Sequence, residues 1–252
     1  MTAQAGGDRA AELAGGLAAA RERIAGACAA AGRAPGSVTL IAVTKRFPAS
    51  DAAALARLGA EDLGESREQE AGPKAEDCAR LLSAAGGPSA PPRWHMVGRL
   101  QRNKARAAAR WAHAVHSVDS LRLAHALARA TASALDAGER TAPLEVYLQV
   151  SLDGDPARGG VSAADLDELA DQVEAAESMR LAGLMAVAPR QEEPDAAFAR
   201  LAGVRAAFLR RHPQAGGLSA GMSGDLESAI AHGSTCVRVG TAIMGARPIV
   251  SP

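Results

Sequence analysis

Val38-Thr-Leu-Ile-Ala-Val-Thr-Lys45 is an apolar run that ends on a cation, and the rest of the chain repeats its rhythm. Val38–Val43 reads as a strand buried on both faces. An Ala-rich helix from about Ala10 to Gly32 precedes it, and Ser50 caps a following helix that ends near Gly59. Further strands fit at Glu61–Leu63, Trp94–Val97, Ala114–Ser117, Leu144–Val150, Leu181–Met185, around Leu218 and at Cys236–Val239. Helical patterns fill the gaps. One opens at Asp119/Ser120 and ends near Gly138. A second starts at the capping box Ser162/Asp165 and carries Leu166, Leu169 and Val173 on one face. Another runs from about Pro194 to Arg211, and Ser223 caps one reaching His232, with Gly233 just past its end.

Eight strands alternating with seven helices imply a parallel sheet with right-handed crossovers, and eight such units close a barrel. An open doubly wound sheet is the rival, but no strand–GxGxxG–helix unit appears early in the chain. The expected fold is therefore α/β: a single (β/α)8 TIM-type barrel over residues 1–252 with an extra N-terminal helix. Residues 1–9 are expected to be flexible and Ala84–Pro92 to be a surface loop.

Composition removes several function classes. Apolar residues make up 48% and charged residues 22%, with 28 basic against 28 acidic side chains. No net field draws the chain to nucleic acid or an anionic membrane. The stretch Arg99, Arg102, Lys104, Arg106, Arg110 reads as a solvated helix face rather than an RNA surface, since aromatics for base stacking are few. Charges at Asp8, Arg9, Glu12, Arg21, Glu22 and Arg23 interrupt the N-terminal Ala-rich segment, so no secretory core forms and the cytoplasm is expected. A monomer is expected too. Cys28, Cys78 and Cys236 are widely spaced without a CxxC pair and read as buried thiols, not a metal site.

Lysine occurs only at Lys45, Lys74 and Lys104, so arginine serves wherever charge alone is wanted. Only lysine offers a primary amine that attacks a carbonyl, which limits covalent-amine chemistry to three side chains. Functional groups of a barrel sit on the loops after its strands, and Lys45 follows the first. Partly desolvated there and beside Arg46, it would become a better nucleophile; an ordinary snorkelling lysine is the plainer reading.

At the other end, Cys-Val-Arg238-Val-Gly240-Thr241-Ala-Ile-Met-Gly245 runs from a strand into a Gly-rich helix start. Unpaired backbone N–H groups there suit a phosphate, although a Gly-Thr turn alone is equally a plain helix cap. The last strand adjoins the first when the barrel closes, which makes the phosphate cradle and the amine neighbours. Together they call for a phosphorylated aldehyde. Arg238 would point to the same mouth. It would hold a pyridine nitrogen unprotonated, so that little carbanion chemistry is expected. His95, on the third strand, either touches the ligand or sits hydrogen-bonded in the barrel core.

The chain resembles the YggS/PROSC family of pyridoxal phosphate homeostasis proteins over nearly its whole length. The motifs are Ala42-Val-Thr-Lys45, Leu63-Gly-Glu-Ser66 with Gln69-Glu70, and Trp94-His-Met-Val-Gly98 with Leu100-Gln101 and Asn103-Lys104. Leu181-Ala-Gly-Leu-Met185, Ser219-Ala-Gly-Met-Ser223 and Val237–Arg247 complete the set. The resemblance implies a barrel like the N-terminal domain of alanine racemase, with pyridoxal 5′-phosphate (PLP) as a Schiff base on Lys45. It implies phosphate contacts from Ser219, Gly240 and Thr241, Arg238 at the pyridine nitrogen, and further cofactor contacts among Ser66, His95, Met222 and Ser223. Ser66 stands where the family usually has Asn, Ala220 where it has Met, and Arg158 where many members have Lys.

Such proteins buffer and deliver PLP, with apo PLP-dependent enzymes as partners and no established reaction, so no catalytic residue is assigned. An amino-acid racemase on the same barrel is the alternative. Racemases of that kind carry a second domain and an opposing tyrosine base, whereas Tyr147 lies mid-strand here and no second domain is expected. A Schiff-base aldolase, which uses the amine on its substrate directly, is the third reading.

Overall fold

The computed structural model describes residues 2–84 and 90–245, with side chains from Asp8 onward. Eight parallel strands close into a barrel in chain order: β1 (Thr39–Val43), β2 (Asp62–Glu65), β3 (Arg93–Met96), β4 (Ala114–Val118), β5 (Leu144–Gln149), β6 (Met179–Met185), β7 (Gly217–Ser219) and β8 (Cys236–Val239). Helices alternate with them: α1 (Thr2–Ala30), α2 (Ala49–Arg57), α3 (Glu68–Ala84), α4 (Ala105–Trp111), α5 (Leu121–Asp136), α6 (Leu166–Glu174), α7 (Pro194–Phe208), α8 (Leu226–Ala231) and α9 (Thr241–Met244). The barrel is sealed by β1 against β8, with Ile41 beside Arg238 and Ala42 beside Val239. Residues 85–89 of the expected Gly-rich loop, and Arg247 of the last motif, lie outside the described residues.

Alternation along each strand sorts the core into two layers. Outward side chains such as Ala42, Leu63 and Val237 pack against α1, α2 and α8, while Val115, Val146 and Leu184 pack in the opposite half of the helical shell. Leu166, Leu169 and Val173 form the buried face of α6, as their spacing requires. The lumen is different. Its apolar content is the small cluster Ile41, Val43 and Cys236, and the remainder is polar: Asp62, His95, His116, Ser219 and Arg238. Barrels usually fill this space with branched aliphatics, so a polar lumen marks a committed structure.

The N-terminal helix begins earlier than the Ala10 expected, and the backbone of residues 2–9 is helical. Arg9 fastens this end: Nε and Nη2 donate to Asp51 Oδ2 at 3.0 and 2.8 Å, and Nη2 also reaches the Met244 carbonyl at 3.1 Å. Gly16 permits the close approach, since a Cβ there would stand 2.6 Å from the Ile243 carbonyl oxygen. α1 thus braces the turn after β8.

Three caps fall elsewhere than expected. Ser50 lies inside α2, whose N-cap is Pro48. Asp225, not Ser223, takes the N-cap position of α8, and Ser223 Oγ instead accepts from Ala242 N at 3.4 Å. The Ser162–Asp165 pair does bond, at 2.7 Å between side chains, but in the turn ahead of α6. Only for Ser223 is a long-range partner the cause, since its hydroxyl bonds a residue 19 positions away that the local pattern does not contain. Cys28, Cys78 and Cys236 are free and buried, and burial raises the Cys78 and Cys236 thiols to about 11 and about 12. Among the described residues no helix is long and apolar enough to cross a membrane.

Candidate functional site at the barrel mouth

Lys45 lies two residues beyond the end of β1, in a turn closed by Phe47 N donating to the Thr44 carbonyl at 3.1 Å. Arg46, next in sequence, has φ 67°, the sole positive φ at a non-glycine among the described residues. A side chain in that region costs about 1–2 kcal/mol, so the turn that presents Lys45 is strained. Lys45 itself is exposed, which corrects the expectation of a partly desolvated amine: the last buried position of this segment is Thr44.

Directly beside it stands the turn after β8. Gly240 packs on Val43, where a Cβ would come 3.4 Å from the Val43 carbonyl oxygen. Thr241 is exposed, and Ser223 is tied to this turn through Ala242 N. Met222, 38% exposed, is one of two exposed large apolar side chains among the described residues, and it adjoins a cavity of about 830 Å³ between the loops after β5 and β6. Arg158 spans those loops, donating to the carbonyls of Val187 and Ala188 at 2.9 Å each. It acts there as a brace.

Arg238 turns into the lumen and is buried. Nη1 donates to the carbonyl and hydroxyl oxygens of Ser219 at 2.7 and 2.6 Å, and Nη2 to the Ala186 carbonyl at 3.0 Å. Three of five N–H groups are thereby used, which leaves one hydrogen on Nε and one on Nη2 without an acceptor among the described residues.

Two residues named from sequence sit differently. Ser219 is buried with its hydroxyl committed to Arg238 and to His116 Nδ1 at 2.8 Å, so it supports the site from behind rather than offering a phosphate donor. His95 is buried with both ring nitrogens hydrogen-bonded, Nε2 to Asp62 Oδ1 at 2.8 Å and Nδ1 to His116 Nε2 at 3.0 Å. Burial lowers the pKa of both histidines, that of His116 strongly. Ser66 is half-buried, and its backbone lies so close to Gly98 that a Cβ there would come 2.2 Å from its carbonyl oxygen. Sequence reasoning missed Asp62, His116 and the buried pair Glu65–Lys74, whose Oε1–Nζ distance is 2.7 Å. Polar residues at inward positions of otherwise apolar strands, as in Ala114-Val-His-Ser-Val118, were the available signal.

Residues 17–248 match the model of the alanine racemase N-terminal domain. A pyridoxal phosphate homeostasis protein of Mycobacterium leprae is 51% identical over 98% of this chain and 97% of its own length. The chain belongs to the pyridoxal phosphate homeostasis protein family. PipY of Synechococcus elongatus, whose structure holds PLP, shares this family's barrel with a TM-score of 0.76 and 33% identity, over 92% of this chain and all of PipY. The alanine racemase of Streptomyces coelicolor, TM-score 0.68 and 25% identical, matches 95% of this chain but 59% of the enzyme. The homeostasis family thus corresponds to the barrel part of such racemases.

Proposed function

We propose that this chain binds PLP at the barrel mouth as a Schiff base on Lys45 and serves to buffer and deliver it to apo PLP-dependent enzymes in the cytoplasm. One observation carries the reading: an amine without a hydrogen-bond partner among the described residues stands at the tip of β1 beside the Gly-Thr turn after β8, and Arg238 of the same β8 keeps two N–H groups without an acceptor. When bound, the cofactor would supply an aldehyde, and Lys45 is the residue whose primary amine would hold it covalently. Gly240, Thr241 and Ser223 would hold its phosphate, with backbone N–H groups and hydroxyls as donors. Arg238 would give a free hydrogen to the ring nitrogen. A guanidinium keeps its own protons, so that nitrogen stays unprotonated and withdraws few electrons. Met222 would shield one edge from water. The family names and the PLP held by PipY support the same reading.

A racemase needs a second base opposite the amine. Tyr147 is stacked on His116 at 4.3 Å between ring centroids, and burial raises its pKa, so it is no such base. The test is an absorption spectrum of purified protein before and after borohydride, followed by mapping of the modified lysine. A reduced adduct on Lys45 is the expected result; adduct on Lys74 or Lys104, or none, rejects the proposal.

A further inference from the structure

Arg238 poses a physical problem: it is a buried cation, and no carboxylate lies within hydrogen-bond distance among the described residues. Such a charge is costly unless its surroundings compensate it. The compensation appears on following the bonds away from the mouth. Arginine can only donate, so Ser219 Oγ accepts from it at 2.6 Å. The other directions are set from the far end, where an ionised Asp62 can only accept, so His95 donates its Nε2–H to Oδ1 at 2.8 Å. Burial favours the neutral form of both imidazoles, so His95 Nδ1 accepts from His116 Nε2 at 3.0 Å. His116 Nδ1 is then an acceptor and takes the O–H of Ser219 at 2.8 Å.

Every donor direction is thus fixed from one end or the other. The chain ends on Asp62, where burial works against the charged form but hydrogen bonds from His95 and Arg93 hold the pKa below the ordinary value. Arg93 grips both Asp62 oxygens at 2.7 Å, and the two residues line a cavity of about 370 Å³ under α1, at the end of the barrel opposite the mouth. Lone pairs all along the chain point toward Arg238, so two imidazoles and a hydroxyl solvate the buried cation and a distant carboxylate closes the series.

We propose that Asp62, His95 and His116 are positioning residues for the mouth, a polarised series running through the barrel that fixes the charge and orientation of Arg238 by way of Ser219. No proton travels along it at rest, because one end is a guanidinium that keeps its protons and the other a carboxylate held ionised. Its effect is to hold the free Nε and Nη2 hydrogens in one place. The groups facing it are His113, with its ring 5.6 Å from that of His95, Tyr147 on His116, and Cys236 with Sγ 3.9 Å from Ser219 Oγ. Glu145 and Arg180 flank His113, and Asp225 acts on Arg238. The tautomers rest on the protein alone; the consequence for the ligand rests on the function proposed above.

Two measurements separate these. Long-range ¹⁵N–¹H correlation spectra of the full chain without cofactor should show His95 and His116 neutral with the proton on Nε2, unchanged from about pH 6.5 to 8. An Nδ1–H tautomer or a charged ring on either residue in that range overturns the series. With PLP, His116→Gln should weaken binding about tenfold and Asp62→Asn about threefold, and both should shift the pH profile of the bound-cofactor absorbance, with thermal unfolding recorded alongside. Wild-type affinity and profile in both folded variants overturn the positioning role. A wild-type protein that yields no Lys45 adduct rejects the cofactor reading instead, and the tautomer result still decides the series.

Discussion

The two sides of the tip of β1 carry a lysine each, and they have opposite fates. On the mouth side Lys45 is exposed, without a hydrogen bond or ion pair among the described residues, on a turn strained at Arg46. On the helix side Lys74 of α3 reaches in from behind, 9% exposed, and bonds Glu65 Oε1 at 2.7 Å and the Thr44 carbonyl at 3.0 Å. That carbonyl belongs to the residue just before Lys45 and also closes its turn through Phe47 N. One ammonium group therefore secures the backbone from which the other amine is presented. Nucleophilicity depends on a lone pair left free, and here a spent lysine keeps an unspent one in place.

This contrast can be broken in order of effect. Lys45→Ala should remove the borohydride-reducible adduct completely while circular dichroism stays that of the wild type; an adduct that persists would move the chemistry to another amine. Lys74→Met should cost about 3–5 kcal/mol in chemical denaturation, because it strands the buried carboxylate of Glu65, already orphaned at Oε2. Its adduct should still map to Lys45. Unchanged stability would mean that the pair contributes little. Acid probes the lumen instead. The folded-state pKa values of His95 and His116 lie below the ordinary 6.5, so the unfolded chain takes up protons first. Stability should be full above that pH and fall on acidification by up to about 1.4 kcal/mol per pH unit for each ring. The same slope should survive in Lys74→Met, since it arises on the other face of the sheet; a slope that vanished with Lys74 would refute that division. The smallest effect is Arg46→Gly, which relieves the left-handed backbone and should stabilise by about 0.5–1 kcal/mol. A loss of stability there would show that the Arg46 side chain outweighs its strain.

How much of this was legible in the sequence follows from distance along the chain. The strands, Lys45 and the turn at Gly240 announce themselves in runs of under ten residues, through apolar patterning and glycine placement. Which of three lysines stays free is not local information. Lys74 needed Glu65 and Thr44 across the β2–α3 layer, and His116 needed Ser219, 103 positions away. Ser219 was named as a phosphate contact through the family resemblance; only the structure shows Arg238 and His116 bonded to its hydroxyl. His95 had two open readings for the same reason, and its bond to Asp62 on the neighbouring strand is visible only in the fold. The helix cap at Ser223 failed similarly.

The seam between β1 and β8 has a consequence for biogenesis. Lys45 and the turn at Gly240 lie almost two hundred positions apart in the sequence and meet only where β1 pairs with β8. A partly folded chain with that seam open would display the amine without its neighbouring turn, so on the function proposed above ligand capture would wait for ring closure.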